Sequence, residues 1–443
     1  MLSAPRPYDP GHGEFGRVMN EDVQLFGGPY AHKPGDIVVA AQHRELVIAQ
    51  LGEDTVDSVQ TSEVLGLALL TLKDPRATAD ALLARVREQV PDAGEPTPTA
   101  TVDQVLWSLR TLIGAESAGW SPTMGKNRLV GQTHGVGRVN HGGGGDPEPV
   151  DPPVSRAVRV SGPGRGVRVG VLDTGLYPQD WLAGGWAARF SDRVVDDDHE
   201  LLYADGHATF VAGLILGQSP GATVEVRRVL ESTADPETNG SADSWTVAEA
   251  IVEFGNSGLD VLNLSFVCYT EDGQPPLVLS KAIERLPPDL VVVAAAGNHG
   301  AATRSDLEDG STDHQNPALK PGWPAALDDV IAVGAVTRAG ELASFCPDAP
   351  WIDLLAEGED LTSTYLQEAR PDRGREPVTF DGWARWSGTS FSAALVSGAV
   401  AAATEPTRSS AGSAMADILA SLHRSSEKIV GHTGAKIIRL RTS

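Results

Sequence analysis

Between residues 166 and 337 the chain repeats one pattern: a short uninterrupted apolar run, a segment with helical periodicity, then another apolar run. GVRVGVLDTG (166–175), TVEVRRVL (223–230), LDVLNLSF (259–266), LVVVAAAGN (290–298) and VIAVGAVT (330–337) are the apolar runs. HATFVAGLILG (207–217), SWTVAEAIVEFGNSG (244–258) and LVLSKAIERL (277–286) lie between them and read as helices. Such runs have no polar face to offer water. They fit strands covered on both faces by the helices that connect them, which is an α/β, doubly wound parallel sheet. In sheets of this kind ligands bind beyond the carboxyl ends of the strands. Asp173 and Asn298 each stand at such an end.

HGGGGDPEPVDPPV (141–154) cannot bury apolar surface and marks a Gly/Pro-rich linker, flexible first and stiffer after, spanning 141–157. It divides a 1–140 unit from a 158–443 unit. In the first, DIVVAA (36–41), ELVIAQL (45–51) and LGLALLTL (65–72) are expected strands. PRATADALLARVREQV (75–90), with Pro75 near its start, and TVDQVLWSLRTLI (101–113) are expected helices. This is a small α+β unit without a catalytic pattern of its own. In the second unit, 299–317 and 367–383 are polar or charged and read as surface insertions.

Charge and composition exclude some classes. The chain of 443 residues has a net charge of −24, which argues against a nucleic-acid partner, since phosphate binding depends on clustered Lys and Arg. Residues 1–150 carry 12 basic and 19 acidic residues, a net of −7, which leaves −17 for the remainder. That balance is compatible with basic partners without naming one. No run of about 18 apolar residues suggests a membrane span, and MLSAPRPYDPGHGEFGR lacks the features of a secretory signal, so the expected setting is the cytoplasm. The two cysteines, Cys268 and Cys346, are isolated in apolar surroundings and read as buried thiols.

The stretch SGTSFSAALVSG (387–398) sets a hydroxyl, Ser390, at the start of an apolar helix. Capping is one reading, because Ser side chains accept the unpaired first N–H groups of helices. Catalysis is the other, because a helix start favours developing negative charge. Asp173 after a buried strand, His207 opening a helix and Asn298 after Gly297 supply the remaining parts of an acyl-transfer site. They would serve as carboxylate, base and oxyanion donor.

The order Asp, His, Ser and the flanking residues resemble the subtilisin-like serine proteases, the subtilase family. The resemblance rests on VLDTG around Asp173, HATFVAG around His207, AAAGN around Asn298, SGTSFSAALVSG around Ser390 and PGWPAALDDVIAVGAV (321–336), and covers roughly 160–405. It implies a serine endopeptidase in which His207 activates Ser390, Asp173 orients His207, and Asn298 stabilises the oxyanion. It also implies that Ser265, Phe266 and Val267 form the edge strand that pairs with extended substrate, and that Ala296 and Gly297 form the back wall of the primary pocket. A protein or peptide substrate follows, no cofactor is required, and structural calcium is conceivable at the acidic stretch 306–313.

The sequence departs from the family pattern in two places. Ala208 and Phe210 stand where the family has Gly and a second His, and Ala394 and Leu395 where it has Pro and His; altered packing around an intact triad is expected. Phe266 and Val267 stand where the family has open space beside the substrate. The cleft then accepts only small side chains, or is closed until something opens it. An activating protein partner, or removal of residues before the linker, would serve. The first unit resembles the prodomain of this family in content and position; a permanent regulatory domain is the alternative. For the whole chain, the rival to a latent protease is a pseudoprotease-like module that binds a peptide or partner in a narrowed cleft.

Overall fold

The structure, a computed structural model, describes residues 31–96, 100–132, 144–153, 162–194, 201–233, 239–300, 320–371, 376–424, 436–438 and 440. Among the described residues no helix is long and apolar enough to cross a membrane.

The N-terminal unit comprises β1 (His32–Ala40), α1 (Arg44–Leu51), β2 (Val56–Ser62), β3 (Leu67–Leu72), α2 (Pro75–Gln89), α3 (Thr101–Glu116) and β4 (Met124–Gln132). Its antiparallel strands lie in the order β4-β1-β3-β2. β1 and β3 are apolar without alternation because both sheet faces are covered. Ile37, Val39, Ala68 and Leu70 pack with the unit's own α2 and α3, whereas Val38, Leu67 and Leu69 share a core with the second unit. The start of α2 follows from its sequence: the Asp74 side chain accepts the Ala77 N–H at 2.8 Å, and Pro75 occupies the first helical position.

One element differs from expectation. ELVIAQL is the helix α1, not a strand; Val47 and Leu51, four residues apart, are its buried positions. A short apolar run carries both periods, and here the helical spacing matches the face that is covered.

The linker contributes β5 (Glu148–Pro149). The second unit contains β6 (Arg168–Asp173), β7 (Trp186–Ala187), α4 (His207–Gln218), β8 (Thr223–Arg228), β9 (Ser241–Asp243), α5 (Ser244–Gly255), β10 (Val261–Leu264), β11 (Phe266–Val267), α6 (Leu277–Ile283), β12 (Val291–Ala295), β13 (Ile331–Val336) and β14 (Leu354–Glu357). Beyond these come β15 (Leu361–Thr364), β16 (Glu368–Ala369), β17 (Val378–Thr379), β18 (Trp383–Trp386), α7 (Thr389–Ala403), α8 (Ala411–Arg424) and β19 (Lys436–Ile437).

Eight strands form one parallel sheet in the order β19-β14-β13-β12-β10-β6-β8-β7. Successive side chains along its strands point to opposite faces. Val261, Val291 and Val293 pack with α4 and α7, and Leu262, Leu264, Val292 and Ala294 pack with α5 and α6. Helices α4 and α7, which bring His207 and Ser390 into the same region, approach closely. A Cβ on Gly398 would lie 2.9 Å from the Ile215 carbonyl oxygen, so only glycine fits there.

Two further segments are more integrated than their composition suggests. Within the linker, β5 pairs antiparallel with β18, and Trp386 Nε1 donates to the Gly145 carbonyl at 2.7 Å. Within 367–383, β16 and β17 form a two-stranded ladder, and Phe380 is buried against Tyr365. Charged residues flank this segment while a few apolar ones anchor it.

The antiparallel sheet continues across the boundary between the units. β4 pairs with β9 on one side, Leu129 opposite Asp243, Val130 opposite Ala242 and Gly131 opposite Ser241. On the other side it pairs with β11, Gln132 opposite Phe266 and Gly131 opposite Val267. The N-terminal unit therefore ends as a strand inserted between two strands of the second unit.

Candidate active site

Asp173 is the last residue of β6 and is fully buried. Its Oδ1 accepts the Thr174 backbone N–H at 2.7 Å, which fixes the carboxylate. His207, the first residue of α4 and also fully buried, has Nδ1 2.8 Å from both Asp173 oxygens. An ionised carboxylate only accepts hydrogen bonds, so Nδ1 carries the proton. Nε2 is then the basic nitrogen of the neutral ring.

Ser390 is the second residue of α7, following a glycine at the helix start. Its hydroxyl donates to the Ser265 carbonyl at 3.2 Å, and α7 has no side-chain cap. Ser390 is thus not the cap of its own helix. His207 stands next to this helix start: its ring centroid is 5.4 Å from that of Phe391 and 5.7 Å from that of Trp386. Phe210, which stands where the family has a second His, lies 4.4 Å from Phe391, the ring packed against His207. Asp173 and His207 are thus paired, and the helix start that carries Ser390 lies beside them.

Asn298 follows β12 and is buried. Its Oδ1 accepts both the Thr389 N–H at 3.0 Å and the Thr389 hydroxyl at 2.9 Å. The Thr389 hydroxyl also accepts the Gly297 N–H at 3.1 Å. An acceptor is required by the Thr389 N–H, so the carbonyl end of the Asn298 amide is fixed toward α7 and its NH2 end points elsewhere. The sequence pattern singled out Asn298 but not Thr389, which orients it.

Ser265 links the edge strand to the helix start. Its hydroxyl lies 2.8 Å from Asn263 Oδ1 and 3.0 Å from the Ser390 carbonyl. Phe266 turns into the core shared by the two units. Val267 turns toward Gly322 and Ala296: a Cβ built on Gly322 would meet Val267 Cγ2 at 3.0 Å and the Ala296 carbonyl oxygen at 2.6 Å. Tyr269, packed against Val267, donates to His299 Nδ1 at 2.9 Å, and His299 Nε2 donates to the Lys320 carbonyl at 2.9 Å. Burial holds the His299 imidazole neutral by lowering its pKa to about 4. Gly297 is held tightly by the same pair, since a Cβ there would lie 2.5 Å from the Tyr269 hydroxyl. Val267, Tyr269 and His299 thus lie beside Ala296 and Gly297.

The end of β4 lies along this cleft. The Gln132 N–H donates to the Gly240 carbonyl at 3.0 Å, and Gln132 Nε2 donates to the Ala204 carbonyl at 3.1 Å, three residues before His207. Farther back, Lys126 Nζ sits 2.8 Å from Asp103 and 2.7 Å from Glu271, and Arg128 is 2.7 Å from Glu271. Burial alone would raise the Glu271 carboxyl; Arg128 and Lys126 override it and hold it at about 2. None of β4, Lys126, Arg128 or Glu271 stood out in the sequence. GKNRLVGQ has only two adjacent apolar residues, too few to announce a strand.

Among the described residues no cluster of His, Cys, Asp or Glu is suited to a metal ion. The acidic stretch 306–313 lies outside the described residues. Burial pushes the Cys268 and Cys346 thiols up to about 12, consistent with protonated core residues.

The model of the Subtilase family matches residues 164–428, and the chain belongs to that family. It is 30% identical over 247 residues to a thermophilic serine proteinase of Bacillus sp. (strain AK1), covering 53% of this chain and 51% of that relative. It is 29% identical over 281 residues to mycosin-3 of Mycobacterium tuberculosis (strain ATCC 25618 / H37Rv), covering 54% of this chain and 58% of the relative. The chain thus spans little more than half the length of these relatives. Among solved structures, fervidolysin from Fervidobacterium pennivorans, a keratinolytic enzyme related to subtilisin, shares the fold. The TM-score is 0.56 at 16% identity, over 94% of this chain and 62% of that one.

Proposed function

We propose that the protein is a latent serine endopeptidase whose N-terminal unit occupies its own substrate cleft. The observation that carries this reading is β4, whose last residues lie antiparallel between β9 and β11, next to Ser265 and within reach of the residues preceding His207. An extended peptide paired on an open strand edge is a standard mode of peptide recognition. Family membership and the Asp173–His207 pair beside the Ser390 helix support the chemistry.

In this reading His207 Nε2 takes the Ser390 proton as Oγ attacks the peptide carbonyl. The new C–O bond moves the carbonyl electrons onto oxygen, where the Asn298 NH2 and the Ser390 N–H stabilise the charge. The imidazolium, steadied by Asp173, then donates its proton to the leaving amine as the C–N bond breaks. Water repeats the sequence on the acyl-enzyme. The chemistry needs no cofactor; a structural calcium ion belongs to the reading only as an addition.

Latency follows from what holds β4 in place. Displacing the N-terminal unit would expose Val38, Leu67, Leu69 and Val130, each worth about 1.5–3 kcal/mol of burial. A partner protein or a cut before residue 157 is the proposed release. A cytoplasmic setting, with Cys268 and Cys346 as separate thiols, is part of the same reading.

Intact mass followed over time in wild type and Ser390→Ala tests this. Loss of the N-terminal unit from wild type alone supports an active, self-restrained protease. If both stay whole and Ser390 resists a fluorophosphonate probe even after limited proteolysis of the linker, a peptide-binding module replaces it.

A further inference from the structure

We infer that Glu271 is a specificity-determining residue that reads basic side chains upstream of the scissile bond, so that the substrates of this cleft carry Lys or Arg at the positions β4 fills with Lys126 and Arg128. The inference rests on the protease reading and on β4 as a stand-in for substrate.

Strand geometry provides the spacing. Arg128 and Lys126 precede Gln132, the residue facing Phe266, by four and six positions. Residues two apart on a strand project to the same face, and both of these side chains reach one carboxylate, at 2.7 Å each. Both are largely buried, with side-chain exposures of 5% for Lys126 and 9% for Arg128, whereas Glu271 keeps 33%. A carboxylate that stays partly open while its cations are enclosed regains solvent access when the strand leaves, and is then available to the next strand.

Glu271 belongs to the second unit, in the loop that follows β11, and its position is set independently of β4. Its backbone carbonyl accepts from Lys320 Nζ at 3.0 Å, and Lys320 in turn is tied through its own carbonyl to His299. Near the start of α5, Asn127 Nδ2 donates to Asp36 Oδ2 at 2.8 Å and lies 3.2 Å from Asp243 Oδ1. Asn127 points away from Glu271, as its position between Lys126 and Arg128 requires. The alternation basic, polar, basic is therefore read by opposite walls. Asp36 leaves with that unit, and Asp243, which stays, faces the polar middle position, so the carboxylate left for the two basic positions is that of Glu271. The net of −17 beyond residue 150 favours approach of such peptides.

The test uses the full chain with Ser390→Ala, Lys126→Gln and Arg128→Gln, which weakens the resident strand while keeping its backbone. A labelled peptide with the sequence of residues 124–132 is compared with one in which its Lys and Arg are Gln. The basic peptide is expected to bind about tenfold more tightly, in line with a charge-assisted contact at a half-open carboxylate. Adding Glu271→Gln should erase the difference, and Glu271→Lys should favour a peptide with Glu at both positions. Equal binding of the two peptides, a preference that survives Glu271→Gln, or no binding of either peptide overturns the inference. Fluorophosphonate labelling of wild type reads the protease assignment separately. Labelling without peptide discrimination removes only the role of Glu271. Discrimination with no labelling even after limited proteolysis of the linker leaves a recognition site and removes the chemistry.

Discussion

Gly131, in the last strand of the N-terminal unit, is paired in antiparallel register with Val267 of the candidate substrate strand, and its other edge is paired with Ser241. A residue with a paired strand on each edge belongs to the interior of a sheet. The cleft strand β11 and its neighbour β9 are therefore not an open edge awaiting a substrate; they are closed by the chain itself, and the consequences can be measured residue by residue.

Once the cleft is open, removal of the nucleophile or of the oxyanion donor should have different signatures. Ser390→Ala should lower turnover of a chromogenic peptide by at least about a thousandfold. Asn298→Ala should lower kcat by about 100- to 1,000-fold with KM little changed, because the amide acts on charge that exists only in the transition state. Thr389→Val should give a smaller loss in kcat, since it frees the Asn298 side chain from one of its two anchors without removing it.

Val267 should set the size of the side chain accepted in the primary pocket. Its Cγ2 stands where it would touch a Cβ on Gly322, close to the Ala296 carbonyl. Val267→Gly should raise kcat/KM for peptides with Phe or Leu before the scissile bond by about tenfold or more relative to Ala. A profile that does not change with this substitution would place the pocket elsewhere.

Acid should act through His299 before it acts through Glu271. The His299 pKa is depressed from 6.5 to about 4, so the unfolded chain binds the proton first. Its stabilising contribution is present above about pH 6.5 and is lost as pH falls toward 4. From the size of the shift this is about 3 kcal/mol. His299→Gln, which can accept from Tyr269 and donate to Lys320, should flatten the stability curve in that window, as denaturant titrations at several pH values will report.

Glu271 behaves differently. Its carboxyl is lowered from 4.5 to about 2, so the contribution of its ion pairs with Lys126 and Arg128 is intact above about pH 4.5 and fades as pH falls toward 2. Hydrogen exchange at β4 should therefore stay slow at pH 5 and quicken only below about pH 4. Release of the strand at pH 5 would show that these pairs do not hold it.

The parallel sheet and the places of the candidate site residues were legible because each leaves a local mark. Uninterrupted apolar runs announce strands covered on both faces, and Asp173, His207, Asn298 and Ser390 stand at element ends within four ordered motifs. The strand β4 left no such mark, since Lys126, Asn127 and Arg128 owe their burial to Glu271, Asp36 and Asp243, which lie far away in sequence. ELVIAQL misled because a seven-residue apolar run suits either period until its neighbours choose one. Phe266 and Val267 stood out in the sequence as a pair, but only the fold separates them: Phe266 belongs to the core between the units, and Val267 packs with Tyr269 beside Gly322.

The most direct test of the self-blocked cleft is the rate at which a fluorophosphonate probe labels Ser390 in full-length wild type and in Gly131→Pro, with Ser390→Ala as the blank. Proline removes the N–H at the position paired with both neighbours and cannot sit in a central strand. Slow labelling of wild type and labelling at least about tenfold faster in Gly131→Pro is the result predicted for a complete triad covered by β4. Equal rates in the two proteins, or no labelling of either, would contradict it.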